Sequence, residues 1–247
     1  HGLLVLFTFG IYTPWFLCRF LEYLASRTVF GPTQSGWVYV RFEGKGGALF
    51  VKFIVGYLLT LLTVGIYGAW FLCDLARWFL EHTEGVAEDG AVFRARFTMT
   101  GGELLFTFFT QYLLAFVTLG IYGAWAYCKV RAALMDKVTL YEDDEVVGGV
   151  CFIGSGGTLF PLAVIQVLLC LVTLGVYIPW AAVRFTQYIQ RHTRVHYRER
   201  WFQGDFTGEG GPYFVLNVVG LLLTQLTLGI YVAWYYAKKR AYDTNHQ

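Results

Sequence analysis

Long apolar runs alternate with shorter polar segments along this chain, and the alternation has a fixed period. The run Ala48–Val64 is interrupted only by Lys52 and ends at a motif, Thr-x-Gly-(Ile/Val)-Tyr-x-x-Trp, that occurs five times. Its glycines are Gly10, Gly65, Gly120, Gly175 and Gly229, spaced 55, 55, 55 and 54 residues apart, and its tryptophans are Trp15, Trp70, Trp125, Trp180 and Trp234. Nineteen residues before the last four glycines stand the pairs Gly46-Gly47, Gly101-Gly102, Gly156-Gly157 and Gly210-Gly211. Twenty-three residues before them stand Phe42, Phe97, Phe152 and Phe206. A long fixed period means one supersecondary unit copied in tandem. The divisions are a partial first repeat over 1–27 and full repeats over 28–82, 83–137, 138–192 and 193–247, together one membrane domain.

Each unit predicts the same elements. The apolar run after Gly-Gly reads as a helix of roughly 26 Å, a little short of the ~30 Å hydrocarbon core of a bilayer. The motif glycine ends that helix, as glycine does at a C-cap. Pro14 and Pro179 follow their glycines by four residues, where proline suits the first turn of a second helix. That helix runs about 14 residues to a basic position held by Arg27, His82, Lys137, His192 and His246. Beyond it, Trp37–Phe42, Val92–Phe97, Val146–Phe152 and Arg200–Phe206 read as one strand each of a small hairpin, on partial period-2 alternation. The first repeat is short, which predicts sequence missing before His1; the start carries no basic n-region and predicts no signal peptide.

Composition sets the class. Of 247 residues, 56% are hydrophobic, 19% aromatic and 15% charged, with mean hydropathy +0.50, against roughly 25% charged in a soluble domain. That deficit excludes disorder, a nucleic-acid-binding domain and an ordinary secreted domain. The fold class predicted is an all-α membrane protein of tandem transmembrane or re-entrant helical hairpins, with short β-hairpin segments on the cytoplasmic side. All 19 Lys and Arg and all 17 Asp and Glu lie outside the motif turns. Basic residues kept on one side of a bilayer mark the cytoplasmic face, and Tyr and Trp mark the interfaces. The expected location is a membrane, with the polar loops on its cytoplasmic side. The net charge of +2 says nothing about partners.

One row strains that topology. Nine residues after each motif glycine stand Arg19, Asp74, Lys129, Arg184 and Lys238. In hydrocarbon each charge costs roughly 2.5–3.5 kcal/mol. Either the hairpins are shallow and the charges snorkel, or they face a polar bundle interior, or the second helix lies along the interface. Gln111 and Gln166 stand nine residues before their glycines, where the second and fifth repeats have Gly56 and Gly220. Gly and Gln alternating at one depth fit close helix packing with interhelical hydrogen bonds, the preferred reading, and also a constriction in a pathway.

No constellation for catalysis emerges. His192 and His196 have metal-ligand spacing but no third ligand, and His192 occupies the basic repeat position. Glu142-Asp143-Asp144-Glu145 reads as a solvated acidic loop. The glycine-rich Gly44–Gly47 and Gly154–Gly157 lack a following Lys-Ser/Thr and read as turns. Five cysteines, three at one repeat position (Cys18, Cys73, Cys128), read as reduced thiols. Neither enzyme activity, nor a cofactor, nor a metal site is expected.

The copy Leu174-Gly175-Val176-Tyr177-Ile178-Pro179-Trp180-Ala181-Ala182-Val183-Arg184 resembles the bacterial inner-membrane family of unknown function typified by YjgN, whose motif is approximately Leu-Gly-Ile-Tyr-x-Pro-Trp-Ala-Lys-Val-Arg. Trp125-Ala126-Tyr127-Cys128-Lys129-Val130-Arg131 is a shifted version. His82-Thr83 and His192-Thr193, with Phe152-Ile153-Gly154-Ser155-Gly156 and Phe206-Thr207-Gly208-Glu209-Gly210, also look like the family. Asp74 departs from its basic pattern. The resemblance implies a multi-pass bacterial membrane protein and no particular activity. Two functions remain open: a non-catalytic scaffold or accessory subunit packing against lipid or another membrane complex, or a channel or transporter whose pathway between repeats is lined by the basic row. The partners expected are membrane lipids, other membrane subunits or further copies of the chain, and not nucleic acid.

Overall fold

The computed structural model describes residues 12–33, 36–227, 229 and 231–245; the predicted positions Gly10 and His246 lie outside them. The elements in chain order are α1 (Thr13–Ala25), β1 (Val29–Thr33), β2 (Gly36–Phe42), α2 (Gly46–Leu62), α3 (Gly68–Glu81), β3 (Thr83–Ala87), β4 (Val92–Phe97), α4 (Gly101–Val117), α5 (Gly123–Met135), β5 (Val138–Glu142), β6 (Glu145–Phe152), α6 (Gly156–Val172), α7 (Ile178–His192), β7 (Thr193–Tyr197), β8 (Arg200–Gln203), α8 (Gly210–Leu226) and α9 (Val232–Asn245). Helix pairs and strand pairs thus alternate with the repeat, and α1 and α7 carry their prolines in the first turn.

The predicted fold class is wrong in two respects. The protein is an α/β repeat, not an all-α one: hydrogen-bonded antiparallel strands run in chain order from β1 to β6. Among the described residues no helix is long and apolar enough to cross a membrane. The apolar helix of each repeat has 17 residues, about 26 Å against the ~30 Å needed.

The chain divides into two compact units, one of His1–Gln111, Ala133–Val150 and His196–Arg200, the other of Tyr112–Ala132, Cys151–Val195 and Trp201–Gln247. In the first unit the predicted hairpins form, β3 with β4 and β5 with β6, but they also pair with one another. β2 runs antiparallel to β3 from Val38↔Ala87 to Phe42↔Thr83, and β4 to β5 from Phe93↔Glu142 to Phe97↔Val138. A lone hairpin is marginal in water, and a row of paired strands is not. Two clusters fill the space between helices and strands. One joins Cys18, Phe42, Leu49 and Trp78; the other joins Cys73, Phe97, Met99 and Leu104. In the second unit Phe152, Leu159, Cys128 and Tyr188 are buried, and Val183, Phe206 and Tyr213 cluster with Tyr242. Each full repeat therefore buries its phenylalanine and the residue three after its first Gly-Gly glycine, Leu49, Leu104, Leu159 or Tyr213. These core positions all lie at the strand end of the helices. Burial also pushes the thiols of Cys18, Cys73 and Cys128 up, which keeps them protonated and inert.

The Gly-Gly pair divides its work. A Cβ on Gly46 would lie 2.6 Å from Trp15 Cδ1, and Cβ atoms on Gly101, Gly156 and Gly210 would overlap the rings of Trp70, Trp125 and Trp180. Trp15, Trp70, Trp125 and Trp180 thus each lie against the backbone opening the next repeat's apolar helix. The second glycines face open space: Gly47, Gly102 and Gly211 have nothing within 4 Å of a built Cβ.

Candidate functional site

In its second to fifth copies the motif is a helix stop followed by a helix start. At the end of α2 the Gly65 amide donates to Thr60 O at 2.7 Å and the Val64 amide to Leu61 O at 3.2 Å, the two bonds of a Schellman motif. Thr63 Oγ1 accepts from the Tyr67 amide at 2.9 Å and so fixes the first turn of α3. The same threonine bond recurs from Tyr122 to Thr118, Tyr177 to Thr173 and Tyr231 to Thr227 at 3.0–3.1 Å. Thr118→Val removes that acceptor and is expected to cost about 1 kcal/mol, read as faster amide exchange at Tyr122 than in the wild type.

The left-handed position after the helix is ordinarily glycine's. Here Val64, Leu119 and Leu174 occupy it, with φ of +52°, +50° and +50°, and the motif glycine comes one residue later. These three side chains are 93–94% exposed. A large apolar residue in this conformation costs roughly 1–3 kcal/mol. Around each stand further exposed apolar groups: Leu62 and Ile66; Phe116, Val117 and Ile121; Leu171, Val172 and Val176. The exposure continues along α2 as Val51, Ile54, Val55, Leu58 and Leu61. Monomeric proteins in water rarely expose contiguous apolar patches beyond a few hundred Å². These tips are the principal candidate sites, an apolar contact surface on each of the three hairpins.

The charged row flanks it. Arg19, Lys129, Arg184 and Lys238 are exposed. Lys129 Nζ lies 5.6 Å from the centre of the Tyr122 ring and Lys238 Nζ 5.8 Å from that of Tyr231, within cation–π range. Those tyrosines stack on Trp125 and Trp234 at interplanar angles of 14° and 18°. Arg184 donates to Gln187 Oε1. Asp74 pairs with Arg77 at 3.0 Å, which accounts for the acid in an otherwise basic row.

The Gly/Gln alternation is a size exchange across the hairpin. A Cβ on Gly56 would overlap the Phe71 ring, and one on Gly220 the Tyr235 ring. Where the first helix carries Gln111 or Gln166, the partner position carries Ala126 or Ala181. Gln111 is half-exposed. Gln166 is buried and lines an open pocket of about 400 Å³ with Cys170, Leu171, Leu174, Ala181 and Phe185.

The acidic run is solvated as expected at Asp143, Asp144 and Glu145, which are exposed, but not at Glu142. Asp143 and Asp144 are left-handed, with φ of +46° and +65°, and make the two-residue turn between β5 and β6. Asp143 Oδ1 accepts from the Val92 amide at 2.9 Å, and Asp144 pairs with Arg94 and Arg96. Glu142 is only 7% exposed and accepts from Arg198 at 2.8 Å and Tyr197 Oη at 2.9 Å. Burial, and next the bond to Glu142, raise the Tyr197 phenol above its ordinary pKa. These groups edge an open pocket of about 900 Å³ with Val146 and His196, and the partners of Glu142 satisfy it as a structural ion pair. His82 and His192 are not simple basic surface residues either. Each places Nδ1 2.7 Å from the carbonyl four residues earlier and lays its ring on Trp78 or Tyr188.

Thr100 and Glu103 form a capping box at the start of α4. Glu103 accepts from the Thr100 amide at 2.8 Å and from Lys137 Nζ at 2.8 Å, and its own amide donates to Thr100 Oγ1. The Lys137 ammonium and then the Thr100 bonds hold its carboxyl down at about 2. A depressed carboxyl stabilises the fold above its unfolded value and loses that contribution as pH falls. Between about pH 4.5 and about 2 the wild type is therefore expected to lose more thermal stability than Glu103→Gln, measured as Tm against pH.

Comparison with known proteins adds three findings. A family model described as "Bacterial protein of unknown function (DUF898)" matches residues 37–96, 148–205 and 202–246. The inner membrane protein YjgN of Salmonella typhimurium is 57% identical over 37 residues, which is 15% of this chain and 9% of that protein, so the match spans under a tenth of the relative's length. No solved structure matches significantly. The family segments take in β2 to β4 and most of the chain after β6, more than half of its residues, and on that extent the chain belongs to the DUF898 family of bacterial proteins.

Proposed function

We propose that this chain is a non-catalytic scaffold or accessory protein of the bacterial inner membrane, seated on lipid through its hairpin tips. The carrying observation is Val64, Leu119 and Leu174, each held in a strained left-handed turn and almost wholly exposed. Strain retained at an exposed apolar position points to use of that position. Burying one such side chain is worth about 1.5–3 kcal/mol, and the second, third and fourth repeats each supply several. The Tyr–Trp stacks suit the interface between headgroups and acyl chains, and Lys129 and Lys238 on those tyrosines suit lipid phosphates. The resemblance to a protein called an inner membrane protein agrees. In this reading the charged strands lie on the cytoplasmic side.

The scaffold reading is preferred to a pathway between repeats because the basic row is exposed and lines neither pocket described above. Flotation tests the proposal. Full-length chain mixed with phosphatidylethanolamine/phosphatidylglycerol vesicles is expected to rise with them through a density gradient. Recovery of the folded chain in the bottom fraction would contradict lipid seating, and flotation only with a co-purifying membrane protein would reassign the tips to a protein partner.

A further inference from the structure

The two compact units differ in the charge their helical hairpins carry. In the first unit acids and bases balance: Arg19 and Glu22 on α1, and Lys52, Arg77, Asp74 and Glu81 on α2 and α3. In the second unit no Asp or Glu occurs over 112–132, 156–190 or 210–242, the stretches that hold its hairpins. Those stretches carry the cations Lys129, Arg184 and Lys238, exposed on α5, α7 and α9. Each stands six residues past its helix's first residue, Gly123, Ile178 or Val232, about 9 Å along the axis. The exposed apolar side chains Leu119, Leu174 and Leu226 lie at that end of the hairpins. Helical side chains lean towards the N-terminus. The Lys129 and Lys238 ammonium groups accordingly reach back to the rings of Tyr122 and Tyr231, each one residue before its helix. The cations therefore hold the same level on each hairpin, a turn or two from the apolar end.

We infer that the second unit selects anionic phospholipids, each of its hairpins setting one cation against a lipid phosphate. The first unit, balanced in charge, does not discriminate between headgroups. The inference rests on the lipid seating proposed above and adds the headgroup class. Interfacial elements bury their apolar face about 5–10 Å below the headgroups, so tips at that depth bring the cations level with the phosphates. No carboxylate on these hairpins repels an anionic headgroup. A zwitterionic headgroup, whose phosphate is balanced by its own amine, gains far less from the row. An acidic protein or a nucleic acid fits less well, because it would leave the apolar tips beside the cations in water.

Flotation of the full-length chain tests the inference, with vesicles of phosphatidylcholine alone or of phosphatidylcholine with phosphatidylglycerol. Each cation near an anionic leaflet is worth about fivefold, so the wild type is expected to bind the phosphatidylglycerol vesicles about a hundredfold more tightly. High salt is expected to remove that advantage by screening. Lys129→Gln/Arg184→Gln/Lys238→Gln should bind pure phosphatidylcholine as the wild type does and keep at most a few-fold preference. Arg41→Gln/Arg194→Gln/Arg200→Gln removes the same charge from the strands, where all three are exposed, and should keep the full preference. Thermal unfolding checks each variant; where Tm falls, the single hairpin substitutions carry the test, each expected to lose about fivefold. A preference that survives the hairpin substitutions, or falls equally with the strand substitutions, overturns the inference. Equal binding of the wild type to the two vesicles also overturns it, with lipid seating intact and the row left to an acidic macromolecule. Binding to neither vesicle would instead overturn the lipid seating itself.

Discussion

Replacing Val64, Leu119 and Leu174 together by asparagine is expected to weaken vesicle binding at least a hundredfold, to roughly the limit of detection, while leaving Tm unchanged or slightly raised. The two effects have opposite signs for a physical reason. Asparagine tolerates the left-handed region that valine and leucine enter at φ near +50°, so the substitution relieves backbone strain. The side chains removed are over nine-tenths exposed and contribute nothing to the core. If they are buried in lipid, each contributes about 1.5–3 kcal/mol there, and three together exceed the roughly 2.7 kcal/mol that a hundredfold change requires. Flotation and thermal unfolding of the same preparations separate the outcomes. Binding that survives the triple substitution would move the contact surface away from the tips. A large fall in Tm would show the tips to be structural.

Gly101→Ala is expected to destabilise the fold by about 1–3 kcal/mol, and Gly102→Ala by nothing or less than nothing. The added methyl of the first overlaps the Trp70 ring, and overpacking a filled contact costs about that much. The second methyl meets open space and gains helix propensity of up to ~1 kcal/mol. For a chain of this length the first change corresponds to roughly 2–12 °C in Tm. Trp70→Ala in the Gly101→Ala background should restore part of the loss, because the two sites share one contact. Equal effects of the two alanine substitutions would refute the assignment of the pair to repeat-to-repeat packing.

What could be read from residues alone follows from which forces are local. The repeat, the helix stop at each motif glycine, the proline starts at Pro14 and Pro179 and one strand of each hairpin were legible, because they rest on periodicity and on the conformational limits of Gly and Pro. The pairing of β2 with β3 and of β4 with β5 was not: the hydrogen bonds that make it join residues 40 or more apart, such as Val38 with Ala87 and Phe93 with Glu142. Composition then misled. Apolar helices of 17 residues read as transmembrane or re-entrant on composition, although their roughly 26 Å falls short of the ~30 Å hydrocarbon core. The resemblance to the YjgN-typified family agreed with the family match.

The site was partly visible in the same way. The charged row was found, but its surroundings were not, since the cation–π contacts of Lys129 and Lys238 depend on a seven-residue reach back to the motif tyrosine. The acidic run is exposed at Asp143, Asp144 and Glu145 as expected, but the burial of Glu142 against Tyr197 and Arg198 depends on residues 55 and 56 positions away, and Thr100-x-x-Glu103 is a capping-box signature. The left-handed Val64, Leu119 and Leu174 had no signal at all, because apolar side chains in that conformation contradict propensity.

The most direct test of lipid seating is depth within one compact unit. With Cys151 and Cys170 replaced by serine, a fluorophore is attached at Val64→Cys or at Val146→Cys, both exposed in the wild type, and the labelled chain is bound to vesicles containing brominated phosphatidylcholine. The Val64 label should be quenched by acyl-chain bromine and shielded from aqueous iodide, and the Val146 label should show the reverse. A Val64 label quenched by iodide and untouched by bromine, on a chain bound to the vesicles, would contradict the account.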